Sequence, residues 1–338
     1  MKKLLVLLLA AVMVFSMTAF GAEAADDPFA DLEPITLNLG MSQNATDSVR
    51  YLAAVHFNEL LQEKSNGKLG INILNGTVGQ AGDLATSVSL GDVDMAELDP
   101  GAFISSKCSV LDAPGVFLPL EKSYELFTTD NDFMALINAE FESNNLHNLF
   151  MVPVGGRDFA STVPINSQDD LNGMIIRVSP NNLFIEFVNA LGGVATPISG
   201  GETYLAMQQG VCTALEHSLD QIVSTKLYEV TKYIYITNYV VTKTSYLMNL
   251  DKWNSLPEAY QAVFAEASAE MCGYLKEAFA AEEQNYYTTL KDSGLEVYEE
   301  LEPWFNEAIA AASDKIITEI IRPSAGDELV DAAIEGMK

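Results

Sequence analysis

The chain has 338 residues, 49% of them hydrophobic and 19% charged, with three cysteines. That is enough for one large or two medium domains, and it excludes a disulfide-stapled miniprotein or a disordered chain. Forty-seven acidic against 18 basic residues give a net charge of −29, which argues against a nucleic-acid partner, because phosphate binding needs a dense cationic face, and favours a soluble monomer.

Residues 1–24 are built as a secretory signal: Lys2 and Lys3, an apolar run from Leu4 to Phe15, then Ala22-Glu23-Ala24 as a small-x-small cleavage site. The run is shorter than the roughly 20 residues of a membrane anchor. The expectation is cleavage near Ala25 and a soluble, periplasmic protein. No cysteine near that site offers lipid attachment, and no later stretch holds 18 consecutive apolar residues, so a transport role requires membrane partners. Cys108, Cys212 and Cys272 form no C-x-x-C pair and read as small buried apolar residues, with at least one thiol unpaired.

After a polar lead, Ile35 to Leu39 alternates apolar and polar residues as a half-buried strand does. A helix follows, capped by Asn44, Thr46 or Asp47, with an apolar stripe through Leu52, Val55 and Leu60 and a stop at Asn66-Gly67. Leu69 to Ile73 is a second strand, Asp83 to Leu90 a helix closed by Gly91, and Val93 to Ala96 the start of a third strand. The middle section predicts strands over Leu149–Val154 and Met174–Val178, with a break at Gly155-Gly156. Helices are predicted from Asn181 or Asn182 to Leu191 and from Glu202 to Gln209, then a short strand from Val211 to Leu215. From Glu258 to Leu290 alanine and glutamate dominate after Pro257, predicting one or two long helices. The alternation argues for an α/β layer fold with a largely parallel sheet, and a helix that long would connect two lobes.

Catalytic signatures are scarce. His56, His147 and His217 are the only histidines and fall in no metal-ligand spacing; no G-x-S-x-G, Walker loop or G-x-G-x-x-G after a strand occurs. No metal, cofactor or catalytic residue is expected. Arginine is the informative residue: beyond residue 24 it occurs only as Arg50, Arg157, Arg177 and Arg322. Arg157 follows Gly155-Gly156 at the end of an apolar strand. Arg177 lies inside Met174-Ile175-Ile176-Arg177-Val178, on the strand face shared with Ile175 and Ser179. A guanidinium there needs an anion. It either pairs internally with Asp158, Glu186 or Glu202, or its planar fork accepts a ligand carboxylate through two parallel hydrogen bonds.

The order Gly156-Arg157, Pro164-Ile165, Asp170-Leu171-Asn172-Gly173-Met174-Ile175-Ile176-Arg177-Val178, Leu191-Gly192-Gly193, Thr196-Pro197, Glu202-x-Tyr204-x-Ala206-Met207-Gln208-Gln209-Gly210-Val211 and Glu216-His217 resembles the DctP family. These are the extracytoplasmic solute-binding proteins of tripartite ATP-independent periplasmic (TRAP) transporters. Phe57-Asn58-Glu59-Leu60, Ser65-Asn66-Gly67-Lys68 and Asn249 to Pro257 extend the resemblance over nearly the whole chain after the signal.

The resemblance implies a two-lobed periplasmic-binding-protein (Venus flytrap) fold, with lobe I at 34–154 and 243–282, lobe II at 155–242 and 283–338, and the long C-terminal helix crossing the hinge. It implies that Arg177 clamps a ligand carboxylate, helped by Arg157, and that Glu216 and the polar residue after it belong to the ligand-binding set. That position is commonly asparagine in the family; His217 keeps a donor and brings an expected pH sensitivity. Relatives often place an aromatic wall where this chain reads Ile198-Ser199-Gly200-Gly201. Gln43, Asn44, Gln80 and Asp99 fall in segments that resemble ligand-facing loops, and Asp99 can accept hydrogen bonds from hydroxyls or an ammonium. The function so implied is capture of a small organic acid for membrane permease subunits, without catalysis. A binding protein of an ATP-driven importer and a secreted hydrolase are the alternatives.

Overall fold

The computed structural model describes residues 27–42 and 44–338; the signal segment and Gln43 lie outside the described residues. Ten strands form one twisted sheet system: β1 (Ile35–Met41), β2 (Leu69–Asn75), β3 (Met95–Leu98), β4 (Leu146–Ser161), β5 (Ile175–Val178), β6 (Val194–Pro197), β7 (Ala214–Ser218), β8 (Tyr233–Tyr235), β9 (Val241–Asn249) and β10 (Glu296–Tyr298). The main order is β2-β1-β3-β9-β4-β7-β5-β6, with β8 on β4 and β10 on β8.

The sheet is mixed rather than largely parallel. β1 runs parallel to β2 and β3, and β5 to β6 and β7, but β9 is antiparallel to β3 and β4, and β4 to β7 and β8. The antiparallel strands are the ones that carry the chain between the two halves. A strand that returns directly needs no crossover helix and so runs antiparallel.

β4 passes straight through the predicted Gly155-Gly156 break. Up to Gly156 it pairs with β9, and from Arg157 onward with β7 and β8. An irregularity between Pro153 and Gly155 marks the exchange of partners. Gly155 sits at φ 138°, open to glycine and strained for other residues. Gly156 is required for space: a Cβ there would lie 2.6 Å from the Asn238 Cα.

The helix Glu258–Asp292 is continuous over 35 residues, roughly 52 Å at 1.5 Å per residue. It packs on the helix Val49–Lys64 and β4 toward its start and on the helix Leu219–Ser224 and β10 toward its end. Its buried face includes Tyr260, Phe264, Met271 and Leu275. Phe264 joins a first-lobe core in which Phe57 meets Phe150 and Tyr246 edge-on, at 5.5 and 5.3 Å between centroids. A separate cluster of Leu215, Ile222, Ile234 and Leu290 packs at the far end of the long helix, and a larger one, with Phe141, Phe159, Phe187 and Leu247 among its members, runs through both halves of the sheet.

The strand predicted at Val211–Leu215 begins three residues later, because Val211 still closes the helix Thr203–Gln208 through its N–H to the Ala206 carbonyl. All three cysteines are free thiols, Cys108 and Cys212 buried. Burial pushes the Cys108 thiol up to about 12 and the Cys272 thiol up to about 11, which disfavours their thiolate forms.

Gly156→Ala is expected to lower unfolding stability by about 1–3 kcal/mol, since the new methyl meets backbone that cannot retreat. An unchanged denaturation midpoint would show that β4 and the Asn238 turn are not locked together.

Candidate functional site

A cleft of about 1000 Å³ lies between the two halves of the sheet. Asn44, Gln80 and Asp99 line it from the first half, Arg157, Arg177 and His217 from the second. A smaller hollow of about 550 Å³ beside Lys232 and Glu296 holds no unpaired buried polar atom among the described residues. Nor does any group of three or more histidines, cysteines or carboxylates stand ready to hold a metal ion among them.

Arg177 is fully buried on β5. Its Nε and Nη2 both donate to the Ile198 carbonyl, at 2.9 and 2.6 Å, and its Nη1 has no partner. Burial holds it down to about 10, against the opposing pull of Glu216. The three carboxylates considered as internal partners do not pair with it. Asp158 accepts the backbone N–H groups of Thr237 and Asn238 at 2.8 and 2.9 Å, Glu202 accepts the Ser199 hydroxyl, and Glu186 forms no ion pair among the described residues.

Arg157 is arranged differently. Its Nε and Nη2 fork onto the two oxygens of Glu216, the second at 2.8 Å, and its guanidinium carbon lies 4.4 Å from the Phe184 ring centroid. Glu216 also accepts the Tyr239 hydroxyl at 2.8 Å and the Ser179 N–H at 3.3 Å. It is fully buried and is not part of the cleft wall, so its expected ligand contact is replaced by a positioning role. Successive strand residues face opposite ways, and of Glu216 and His217 only the latter lines the cleft.

His217 accepts the Ser218 N–H on Nδ1 at 3.0 Å, which fixes the neutral tautomer with Nε2–H as donor. Burial, and then the positive charges of Arg157, Arg177 and Arg50, hold it well below the ordinary histidine range. The pH sensitivity expected of this residue is therefore moved out of the neutral range.

In the first half, Asn44 is secured by Asn75, whose Oδ1 accepts the Asn44 N–H at 2.9 Å, while Gln221 of the second half reaches the Asn44 Oδ1 at 3.5 Å. Gln80 precedes the helix Ala81–Leu90 and faces the Gly200-Gly201 turn; a Cβ on Gly200 would begin 3.4 Å from its Oε1. Asp99 lies 3.3 Å from the Nζ of Lys243, a fully buried lysine on β9.

Sequence reasoning missed two cations. Arg50 opens the helix Val49–Lys64 and bridges Glu97 of β3 at 2.8 Å and Asp220 of the helix Leu219–Ser224 at 2.9 Å, tying the halves together from the cleft wall. Lys243 is ringed by the Leu111 and Val241 carbonyls and Asp112, and Asp112 in turn accepts the Asn181 amide across the cleft at 2.9 Å. Lys243 had a usable signal, a lone charge inside the strand sequence Val240 to Met248; Arg50, beside polar residues on a helix, had none but its rarity.

The family model of DctP, bacterial extracellular solute-binding protein family 7, matches residues 40–322. The chain is 26% identical over 271 residues to the 2,3-diketo-L-gulonate-binding periplasmic protein YiaO of Escherichia coli, covering 79% of this chain and 82% of that protein. It is 25% identical to the sialic acid-binding periplasmic protein SiaP of Vibrio cholerae, over 81% of this chain and 86% of that one. Its fold is similar to that of the sugar acid binding protein DctPAm of Advenella mimigardefordensis in complex with galactonate, with TM-score 0.83, 22% identity, and coverage of 91% and 99%.

Two outcomes follow from this geometry. Glu216→Ala leaves Arg157 buried without its partner and is expected to destabilise the protein by about 3–5 kcal/mol in chemical denaturation. Imidazole NMR signals of His217 are expected to stay unshifted as pH falls through about 6.5; a midpoint near that value would mean the arginines do not act on it.

Proposed function

Because the chain belongs to the DctP family of bacterial extracellular solute-binding proteins, we propose that it is the extracytoplasmic receptor of a TRAP transporter, capturing a small organic acid between its lobes and releasing it to the membrane permease subunits. The observation that carries this reading is the buried Arg177 guanidinium, unpaired at Nη1 and lining the cleft. An isolated buried charge is unfavourable by several kcal/mol, and a guest carboxylate is the group that relieves it. The ligands in the names of its relatives, 2,3-diketo-L-gulonate, sialic acid and galactonate, are all such acids.

In this reading the lobes comprise 34–154 with 243–282 and 155–242 with 283–338. The exchange of β4 partners at Gly156 and Arg157 supports the first boundary. Arg177 is the clamp, His217 donates through Nε2–H, and Arg157 is held in place by Glu216 and presents its uncommitted Nη1. Asn44, Gln80 and Asp99 contribute from the opposite lobe. Contacts from both lobes exist together only when the cleft is closed, so the ligand shifts the open and closed populations by its differential affinity. Closure is then the state the permease recognises. Among the described residues no helix is long and apolar enough to cross a membrane; in this reading the receptor acts as a monomer and translocation belongs to its membrane partners. The reading is of a receptor and not a catalyst.

A thermal-shift screen against dicarboxylates, sugar acids, 2-keto acids and aromatic acids is expected to raise the melting temperature for at least one, because a ligand that binds only the native state stabilises it. For that acid, Arg177→Ala is expected to weaken binding by about 2–5 kcal/mol in calorimetric titration. Unchanged affinity in a folded variant rejects the clamp.

A further inference from the structure

Resting on the receptor reading, we propose that Asp220 is a closure-positioning residue: through Arg50 it ties the second lobe to the first in the closed receptor, and so scales the affinity for every solute by one common factor without touching any of them. Its place in the fold singles it out. Asp220 lies in the first turn of the helix Leu219–Ser224, is buried, and is not part of the cleft wall, whereas its partner Arg50 is.

The charges around Arg50 are unequal. Within the first lobe the guanidinium is already matched, because its Nη1 donates to Glu97 Oε1 at 2.8 Å and the Thr244 hydroxyl holds the same oxygen in place. Its Nε reaches across to Asp220 Oδ2 at 2.9 Å. Asp220 is thus the surplus carboxylate, and Arg50 is its only ion-pair partner among the described residues. On its own side it has the Gln221 amide at 3.4 Å from Oδ2 and no partner on Oδ1. Parting the lobes by a few Å leaves Arg50 with Glu97 and takes the cation from Asp220. The adjacent Gln221 makes a second, weaker tie at the same joint, to Asn44 Oδ1 at 3.5 Å.

The long helix shelters the pair. The Arg50 guanidinium carbon lies 5.9 Å from the ring centroid of Phe279, a buried residue of that helix. A sheltered pair interacts more strongly than one on an open surface. Burial works to raise the Asp220 carboxyl, but Arg50 leads the opposing influences, which together hold it below the usual carboxylate range. Closure therefore favours the charge, and by linkage the charge favours closure. The unpaired Oδ1 regains water when the lobes part, which offsets part of this gain and leaves the solute to decide the balance.

A group that acts only on the closed population changes the apparent affinity of all solutes alike, because the apparent Kd scales with the fraction of the binding-competent form. A group that touches the solute changes affinity by an amount that depends on the solute.

Calorimetric titration with two or more chemically different acids that bind the wild-type protein tests this. Asp220→Asn is expected to weaken all of them by one factor of roughly 5- to 150-fold, carried by faster dissociation in stopped-flow measurements. Arg50→Lys loses the planar fork, so Asp220→Asn is expected to cost much less in its background than in the wild type. Asp220→Glu, which keeps the charge but displaces it, supplies the same common-factor test where Asp220→Asn does not fold. Unchanged affinity, factors that differ between acids beyond the error of titration, or additive losses in the double variant overturn this proposal while the receptor reading stands. Binding of no acid by the wild-type protein is instead the failure of the receptor reading.

Discussion

A fully buried guanidinium without a counter-ion is the constraint around which this molecule is arranged. Such a group persists only if every neighbouring carboxylate is held elsewhere, and that is how the second lobe is built. Glu216, whose charge acts on Arg177, is engaged by Arg157, Tyr239 and the Ser179 N–H. Asp158 is turned away to the backbone of Thr237 and Asn238. The Ile198 carbonyl fixes one side of the Arg177 fork and leaves the other aimed at the cleft. Preorganisation of this kind removes the ordering penalty from the binding step and loads it onto folding.

The mixed sheet explains how the two walls of the cleft are joined. β4 pairs in both halves, with β9 up to Gly156 and with β7 and β8 beyond it, so the lobes are connected by a continuous hydrogen-bonded strand. The long helix braces the same junction from outside. Across the cleft the polar ties include Arg50 to Asp220, Asn181 to Asp112 and Gln221 to Asn44. All of these residues but Asp220 line the cleft. In the proposed receptor, closure and ligand recognition therefore draw on one polar network, in which altering a partner changes both.

The outline of the fold was legible because the strand and helix periods are clean and the glycine stops sit where the chain turns. Strand direction was not: β4 and β9 read in sequence like any other apolar run, and only their partners reveal that they run antiparallel. Gly155-Gly156 read as a break because glycine commonly ends a strand, whereas here it lets one strand change neighbours. Arg177 was legible as a charge in an apolar strand, but its lack of a partner depended on how Asp158 and Glu202 are held, which no spacing encodes. Glu216 carried the right chemistry in the wrong direction, since pairing with Arg157 across β4 and β7 takes it out of the cleft. Arg50 acts through partners 47 and 170 positions away, a separation no local pattern records.

The net charge of −29 bears on what such a cleft can capture. A net negative charge repels an approaching anion, and at physiological ionic strength that repulsion is screened within about 8 Å, so it slows encounter more than it weakens the final complex. A dianion meets this barrier twice over. Inside the cleft the balance is reversed, because Arg157 is matched by Glu216 while the Arg177 Nη1 is left without an acceptor. The acidity of the chain and the unmatched guanidinium thus act in opposite directions on an anion, the first on its rate of arrival and the second on the stability of the bound state.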